Sequence, residues 1–513
     1  MPDLMSGEIL THENIDPKVR NKIMLGIALA MLVACFDGSI TTTCGPEIGK
    51  SFNNTSLLPW LTMGYLLFET IMIPISGKLS DLYGRKKLLT IGLTLFLLSS
   101  IVATIGISME VMICARAIQG MAGGIIIPVS TALIADLYPP EERAKMQGAL
   151  GALFGIGFGV GPLIGGALAT LSIAGIPGWH FAFAINIPLL LITMFMCKAQ
   201  FPAPVGQQEK PVIDFKGIAL ISILLVIFII YFQLFGTAFD VVSIESLVMI
   251  FILVGLIILL SRVEAKAAEP IIAPHVLKNP TVRSASVLLF LLGFSMIGDE
   301  LFTSMFLQKI EGYSPINAGM FMLCMIVGMA ITSSLAGKMI EKTGYKRWIF
   351  AGPVLMAVGM CGMSFISEFS VPQLAISEFV FGLGVGCLMA SLMACVQNSC
   401  EDAEVGMTTS VVSLFRNIGS TIGSSVYTMI VTIGINYYAI DQGIAQWANE
   451  GIGILEHLGG LFDQQIKYVF TNSVADAFSL GAIILIVAAI IGYRFKIVHM
   501  SKTKEIIDIE ERE

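Results

Sequence analysis

Four carboxylates stand inside long apolar runs of this 513-residue sequence, where an ionised side chain is costly. They are Asp37, Glu69 and the adjacent pair Asp299 and Glu300, and Glu378 is a fifth that lies nearer the end of its run. Taking a carboxylate out of water favours its protonated form. Such a group can carry a proton, attract a cation, or exchange one for the other.

Two arginines, Arg116 and Arg416, also fall inside apolar runs. Each acid therefore has an alternative role as the partner of one of these arginines in a structural ion pair. Arg116 lies only a few residues into its run, so its side chain can also extend to a membrane surface. Asp299 and Glu300 point about 100° apart on a helix, and we expect only one of them to face a central cavity.

The elements that position these groups are membrane spans. The sequence is 55% hydrophobic and 13% charged, whereas a soluble domain carries about 25% charged residues. A span needs about 20 apolar residues, and the sequence predicts fourteen: 22–45, 57–77, 87–107, 110–136, 145–169, 179–199, 216–236, 243–262, 284–308, 316–338, 347–367, 372–397, 407–434 and 473–495.

The basic residues predict the orientation of these spans. Of the 30 Lys and Arg, only Lys50, Lys309 and Lys467 fall opposite to the termini, and Arg116 and Arg416 lie within spans. Cytoplasmic loops carry the excess of basic residues, so both termini are predicted to be cytoplasmic. The longest external loop, 435–472, has an apolar pattern typical of a short amphipathic surface helix.

A repeat divides the chain. Gly77-Lys78 with Asp81 and Gly84 recurs 260 residues later as Gly337-Lys338 with Glu341 and Gly344. Both copies follow an apolar run and end in a basic cluster, which predicts an all-α protein of two six-helix bundles joined by two extra helices. The predicted divisions are 1–21 (N-terminus), 22–199 (first bundle), 200–283 (linkers and extra helices), 284–496 (second bundle, including loop 435–472) and 497–513 (cytoplasmic tail).

Several classes of protein are disfavoured. The nine cysteines contain no CxxC pair and the five histidines do not cluster, so we expect no disulfide framework and no metal site. A phosphate-binding loop, a concentrated basic domain and a cleavable signal peptide are all missing from the sequence. We therefore predict neither a primary pump nor an enzyme, and neither a cofactor nor a nucleic-acid partner.

The loop Gly77-Lys78-Leu79-Ser80-Asp81-Leu82-Tyr83-Gly84-Arg85-Lys86-Lys87 resembles the GxLxDRxGR(R/K) motif of the major facilitator superfamily, in particular its fourteen-helix drug:proton antiporter group. The resemblance implies a cytoplasmic latch that controls bundle closure, carried by Gly77, Asp81, Gly84, Arg85 and Lys86. Leu82 replaces the family's usual arginine. The alternative is an ordinary basic loop.

Two further motifs extend the resemblance. Arg116-Ala117-Ile118-Gln119-Gly120 is similar to the family's RxxQG, which implies that Arg116 assists proton transfer. The fifth span resembles the antiporter motif, which importers of the family usually lack, and otherwise its small residues simply allow close helix packing. The residues of that motif are Gly148, Gly157, Gly161, Pro162, Gly165 and Gly166.

Weaker signatures bring the resemblance to nearly the whole chain. The segment from Phe36 to Pro46 resembles the group's first-span motif LDxTIVNVALP, although Thr42 stands where asparagine is usual. Trp179 with Asn186-Ile187-Pro188, and Asp214 before the seventh span, agree with it.

The resemblance implies a proton-coupled antiporter that exports amphipathic or cationic drugs. Its partners would be a small-molecule substrate, protons and the lipid bilayer of the cell membrane, and it would act as a monomer. One alternative keeps the fold and the proton but exports a single metabolite, such as a siderophore, a sugar or an amino acid. Another is a uniporter or an importer.

Overall fold

The computed structural model describes residues 15–54, 57–169, 171–173, 175–197, 213–234, 243–368, 370–460 and 462–498. The architecture is helical, with one small hairpin of β1 (Ser172–Ile173) and β2 (Ile176–Pro177). The helices are α1 (Pro17–Ser51), α2 (Leu58–Tyr83), α3 (Arg85–Ile105), α4 (Met109–Leu137), α5 (Pro140–Ala169), α6 (Trp179–Ala184), α7 (Asn186–Met196), α8 (Phe215–Leu234), α9 (Ile244–Glu264), α10 (Pro274–Lys278), α11 (Pro280–Met305), α12 (Pro315–Thr343), α13 (Tyr345–Met363), α14 (Val371–Gln397), α15 (Val405–Asp441) and α16 (Asp463–Tyr493).

The number of spans agrees with the prediction of fourteen. Among the described residues, 13 helical segments are long and apolar enough to cross a membrane, with α6 and α7 together forming one of them. The fourteenth is α13, a helix of 19 residues packed against α14 and α16. Its second and third residues are Lys346 and Arg347, which lower its mean hydropathy without shortening it.

Several helices are longer than their apolar runs. Helix α1 continues through Pro46 to Ser51, and α16 begins at Asp463, ten residues before the predicted start of the last span. Polar residues at a membrane surface extend these helices beyond their apolar runs. A count of apolar residues does not detect this extension. The predicted external loop 435–472 is correspondingly shorter, because α15 runs on to Asp441.

The connection between α15 and α16 contains a 3-10 helix, Ala445–His457, where the sequence predicts an amphipathic surface helix. Its own Ala448, Ile454 and Leu455 are buried, and Trp447 stacks on His457 with ring centroids 4.5 Å apart. Leu461, part of the predicted pattern, lies outside the described residues. The predicted surface segment is therefore helical, but it is broken at Gly451, whose φ of 56° and ψ of −136° are not helical.

The chain forms two bundles and a lateral helix pair. Helices α1 to α7 pack among themselves, as do α11 to α16, and the two bundles meet through α2 against α15 and α5 against α12. Helix α8 covers the seam between α2 and α15 in an apolar cluster, and α9 packs on α8. The predicted linkers at 198–212 and the cytoplasmic tail beyond 498 lie outside the described residues.

The repeat is visible in how equivalent helices touch. Gly120 of α4 lies against the backbone of Tyr65 in α2, and Gly382 of α14 lies against Met325 in α12 in the same way. Gly84 and Gly344, which end α2 and α12, both have positive φ (88° and 76°). Only glycine adopts this backbone readily, so each lets the next helix begin at once.

Candidate functional site

Asp37 lies inside the first bundle and is fully buried. Its carboxylate forms an ion pair with the guanidinium of Arg116, which is also fully buried. Asn186 Nδ2 donates to Asp37 Oδ1 at 2.5 Å, and Gln119 Nε2 donates to the same oxygen at 3.4 Å. The first-span acid, the RxxQG motif and the sixth-span asparagine thus form one hydrogen-bonded network.

Arg116 has further partners in the same place. Its Nη1 donates to Gln119 Oε1 at 2.9 Å, and its guanidinium carbon lies 4.3 Å from the ring centroid of Tyr65. The side chain therefore points into the bundle instead of extending to a membrane surface. Of the alternatives open for Asp37, the ion pair with Arg116 is the one that matches the geometry.

Glu69 occupies a different position, on α2 where the two bundles meet. It is 8% exposed, and its charge interacts with Arg416 of α15 and with the thiol of Cys35. The Arg416 guanidinium carbon lies 5.0 Å from the ring centroid of Phe154 on α5. An acid from one bundle and a base from the other thus face each other at the interface.

A small central cavity of about 40 Å³ lies beside Arg416. Its lining includes Met31, Phe154, Met389 and Met393 from both bundles. Sequence reasoning identified none of these residues, because methionine and phenylalanine in a span look the same whether they face lipid, core or cavity. A larger open groove of about 870 Å³ lies at the end of the bundles that carries the basic loops, between α1, α5 and α12.

Asp299 and Glu300 diverge as expected from their spacing. Asp299 is fully buried within the second bundle and accepts a hydrogen bond from Thr303 Oγ1 at 3.0 Å. Glu300 is half-buried on the neighbouring face of α11. Asp299 lies beside Glu378 of α14. Neither Asp299 nor Glu300 lines the central cavity, so the expectation that one of them faces it is wrong. The structure therefore places Asp299 in a bundle interior, away from the bundle interface.

The motif predicted as a loop is the last turns of α2 and the first turn of α3, separated by Gly84 alone, and it touches the second bundle. Asp81 accepts hydrogen bonds from the backbone N–H groups of Gly406 (3.0 Å) and Met407 (2.7 Å) at the start of α15. Arg85 pairs with Asp81 at 2.5 Å and with Asp136 of α4 at 3.2 Å. A carboxylate at a helix N-terminus is favoured by the helix dipole and its free N–H groups.

The other residues of this motif have separate surroundings. Gly77 lies so close to Ser410 and the Gly406 carbonyl that a side chain would not fit. Lys78 Nζ pairs with Glu269 Oε2 at 2.6 Å in the segment after α9, and Lys86 is exposed. The motif is thus bound to α15 and also to the segment that follows α9.

A second set of contacts between the bundles lies beside the first and was not predicted. Gln147 Nε2 of α5 donates to Gln397 Oε1 of α14 at 2.9 Å, and Gln397 Nε2 donates to the Thr131 carbonyl at 2.8 Å. Arg143 Nη1 donates to Asn398 Oδ1 at 3.1 Å. Amides and a single arginine near helix ends give no sequence signal for such a network. Together the two sets join the bundles at their basic end.

The glycines of the fifth-span motif lie against two neighbouring helices, α1 and α12. Gly157, Gly161 and Gly165 lie against α1, next to Leu32, Phe36 and Ile40, respectively. Gly148 instead lies against the Ser333 backbone of α12, and Gly166 is nearest to Ile316. The side chain of Pro162 lies outside the described part of the chain. Helix α5 is therefore held closely between α1 and a helix of the other bundle.

The polar groups do not assemble as ligands for a metal. Among the described residues, no group of three His, Cys, Asp or Glu side chains is placed to hold a metal ion. His180, which follows Trp179, stacks on its indole with ring centroids 3.5 Å apart, and its Nδ1 lies 2.7 Å from the Thr104 carbonyl oxygen.

Comparison with known proteins agrees with this geometry. The family model described as Major Facilitator Superfamily matches residues 27–424. Multidrug resistance protein 3 of Bacillus subtilis (strain 168) is 29% identical, over 91% of this chain and 92% of its own. The multidrug transporter protein MdtP of the same strain is 32% identical, over 79% of this chain and 74% of its own.

Two other similarities differ in what they support. The riboflavin transporter RibZ of Clostridioides difficile (strain 630) is 23% identical, over 81% of this chain and 89% of its own. Among solved structures, the proton:xylose symporter XylE matches with a TM-score of 0.65 and 15% identity, over 96% of this chain and 100% of that chain. The likeness to XylE supports the fold alone.

Proposed function

The chain belongs to the Major Facilitator Superfamily and is a membrane transporter, and from this premise we propose that it exports amphipathic or cationic compounds in exchange for protons. The observation that carries the proposal is the position of Glu69. It is a nearly buried acid on α2 at the seam between the bundles, and it faces Arg416 of the opposite bundle. A proton that binds there changes the attraction between the two bundles.

The exchange of a proton for cargo follows from the electrostatics of Glu69 in a site from which water is largely excluded. Ionised Glu69 attracts either Arg416 or a cationic cargo that enters between them, and protonated Glu69 attracts neither. A proton arriving from outside therefore releases the cargo, and loss of that proton to the inside allows the next cargo to bind. Proton entry is worth about 2.3 kcal/mol per charge for each 100 mV of membrane potential.

The other residues of the motifs have supporting roles in this proposal. Asp37 and Arg116 hold α1 and α4 in register and assist proton transfer through Gln119 and Asn186. Asp81 and Arg85 latch the cytoplasmic end. The glycines of α5 let it move against α1 and α12 at close range.

The cavity of about 40 Å³ is far smaller than a drug-sized cargo in this arrangement, so the cargo class rests on the character of its lining and on the relatives. Methionine side chains are flexible and polarisable, so Met31, Met389 and Met393 suit cargo of varied shape. Two relatives carry the word multidrug in their names. We propose the cell membrane as the location, both termini in the cytoplasm, a functional monomer, and the divisions 22–199, 200–283 and 284–496 for the two bundles and their connection.

The test is proton movement driven by cargo in proteoliposomes, measured with an internal pH dye across a panel of quaternary ammonium compounds and dyes. Wild-type protein is expected to exchange protons for at least one of them. Glu69→Gln should reduce the exchange to the level of empty liposomes, because glutamine cannot release a proton. Glu311→Gln, an exposed acid after α11, is the matched control and should behave as wild type. Full exchange by Glu69→Gln would exclude Glu69 as the coupling acid.

A second candidate function is export of one metabolite by the same exchange. Arg416 favours it, because a half-buried guanidinium beside the cavity suits cargo that carries acceptor or anionic groups. One relative is named as a riboflavin transporter. Adding metabolites to the same panel separates the two functions, since a metabolite exporter would move one of them and none of the dyes.

A further inference from the structure

The buried pair in the second bundle is the repeat counterpart of the ion pair in the first. Asp299 follows Asp37 by 262 residues, and Glu378 follows Arg116 by the same 262 residues. The framework around them matches too, since Gly382 follows Gly120 at this separation and each glycine packs on the equivalent neighbouring helix. Where the first bundle joins an acid to a base, the second joins an acid to an acid.

The second pair has no base to neutralise it. Asp299 and Glu378 are both 0% exposed, and their carboxyl groups lie within hydrogen-bonding range of each other. Apart from that contact, Asp299 Oδ2 and both oxygens of Glu378 have no hydrogen-bond partner. Among the residues that the structure describes, no Lys, Arg or His forms an ion pair with either acid.

The surroundings supply polar oxygen but no positive charge. Thr303 of α11 donates to Asp299 Oδ1, and Ser295 one turn before Asp299 is fully buried. From α15, the fully buried Tyr427 packs its ring over Gly298 beside Asp299. The titratable groups nearest the pair are Glu300 on α11, Cys324 on α12 and Tyr427 on α15.

A proton is the simplest ligand that satisfies this arrangement. Two ionised carboxylates in contact repel each other strongly where water is excluded. A hydrogen bond between two carboxyl groups also requires that one of them carries the proton. The bound proton then gives Asp299 a hydrogen-bonded partner, as Arg116 does for Asp37, but it leaves the pair with one negative charge.

We propose that Asp299 and Glu378 form a carboxyl pair that shares a proton, and that this pair is a second proton-binding site, separate from Glu69. The O–H of one carboxyl donates to a carboxylate oxygen of the other, and the pair keeps one negative charge. Asp299 lies eleven residues before the end of the helical span Pro280–Ile310, and Glu378 lies seven residues after the start of α14. At 1.5 Å per residue the pair is about 10 to 16 Å from the end opposite the basic loops.

This depth favours exchange of the proton with the outer side. The existence of the shared proton does not depend on the proposed function, whereas its use in transport rests on proton-coupled exchange. The two ideas are therefore tested by separate measurements.

The proton itself is measured by infrared difference spectroscopy of the purified, full-length protein during a pH titration in sodium-free buffer. Wild type is expected to show a protonated-carboxyl C=O band at neutral pH that the double variant Asp299→Asn, Glu378→Gln lacks. Glu368→Gln, an exposed acid just before α14, is the matched control and should keep the band. An identical band in wild type and the double variant overturns the proposal. So does a wild-type band that disappears when sodium is added, because the site would then hold a metal cation.

A second variant uses the repeat itself. Glu378→Arg recreates in the second bundle the pair that Asp37 and Arg116 form in the first, so we expect it to fold and to lose the same band. In proteoliposomes it should move fewer protons per cargo molecule than wild type, while Glu69→Gln stops exchange altogether. A Glu378→Arg protein that folds and keeps both the band and the wild-type proton count contradicts the shared proton.

Discussion

At the scale of single residues, acidic side chains of the same type have different partners in different parts of the structure. Asp37 is neutralised by Arg116, Asp81 by backbone N–H groups and Arg85, and Glu69 faces a base across the bundle interface. Asp299 faces another acid. All four are acids in or next to apolar runs, so their type alone does not distinguish them. Their partners come from distant parts of the chain.

The glycines of α5 provide a test at this scale. A Cβ on Gly161 would collide with Ser39 and lie 2.7 Å from the Phe36 carbonyl oxygen, whereas a Cβ on Gly45 of α1 would meet nothing within 4 Å. Gly161→Ala should therefore lower the free energy of unfolding by about 1–3 kcal/mol, the usual cost of overpacking. Gly45→Ala should leave it unchanged or raise it slightly, because alanine favours helix.

The measurement is the thermal unfolding midpoint of each purified variant in the same detergent, with transport assayed in parallel. Equal midpoints for the two alanine variants would mean that α1 and α5 are not held at this distance, and the proposed role of the motif in close packing would fail.

At the scale of elements, the two copies of the repeat have the same backbone turn between helices, but only the first copy forms a charged contact with the other bundle. Asp81 binds the first N–H groups of α15, while its counterpart Glu341 at the end of α12 is exposed. On that side the bundles are joined instead by the amides of Gln147 and Gln397. One charged latch and one amide network therefore close the same end of the molecule.

This asymmetry predicts that substitutions at the two repeat-equivalent acids have different effects on closure of the basic end. Asp81→Asn removes the charge that faces the N-terminus of α15, and each charge-assisted hydrogen bond contributes about 1.5–3 kcal/mol. The closed state should lose population by about tenfold or more, since about 1.4 kcal/mol is a factor of ten. Glu341→Gln should have little effect.

Pulsed dipolar spectroscopy checks this with spin labels at Lys87 on α3 and Arg347 on α13, both exposed at the basic end. Longer distances are expected for Asp81→Asn alone. If Glu341→Gln lengthens them equally, the two copies of the motif act alike and the latch is symmetric.

At the scale of the whole molecule, an even number of spans places both ends of the described chain on one side. The lysines and arginines of the loops collect on that side, and the connection Ala445–His457 lies on the other. With cytoplasmic termini, single cysteines at the two exposed positions Glu456 and Lys342 should differ in a cysteine-free background. An impermeant thiol reagent added to intact cells should label the first and leave the second unlabelled until the membrane is opened.

Labelling at position 342 in intact cells, with protection at 456, would reverse the proposed orientation and with it the direction of transport. Equal labelling at both positions before and after permeabilisation would show that the reagent crosses the membrane, so a permeability control with a cytoplasmic enzyme thiol accompanies each measurement.

The sequence by itself determined the spans, their number, the two bundles and the family, because apolar length, basic loops and the repeated Gly-Lys motif are local patterns along the chain. It also identified the intramembrane acids, since an acid in an apolar run is conspicuous wherever it points. The tight helix contacts of α5 were likewise expected from glycine spacing.

Only the tertiary structure decided which acid meets which partner. Asp37 and Arg116 are joined across 79 positions, and Asp81 and Met407 across 326. The amide network of Gln397 and the methionines of the cavity also appear only when the bundles are packed. Partner choice depends on the rotation and depth of each helix, and these are set by side-chain packing between helices, which no local pattern along the chain records.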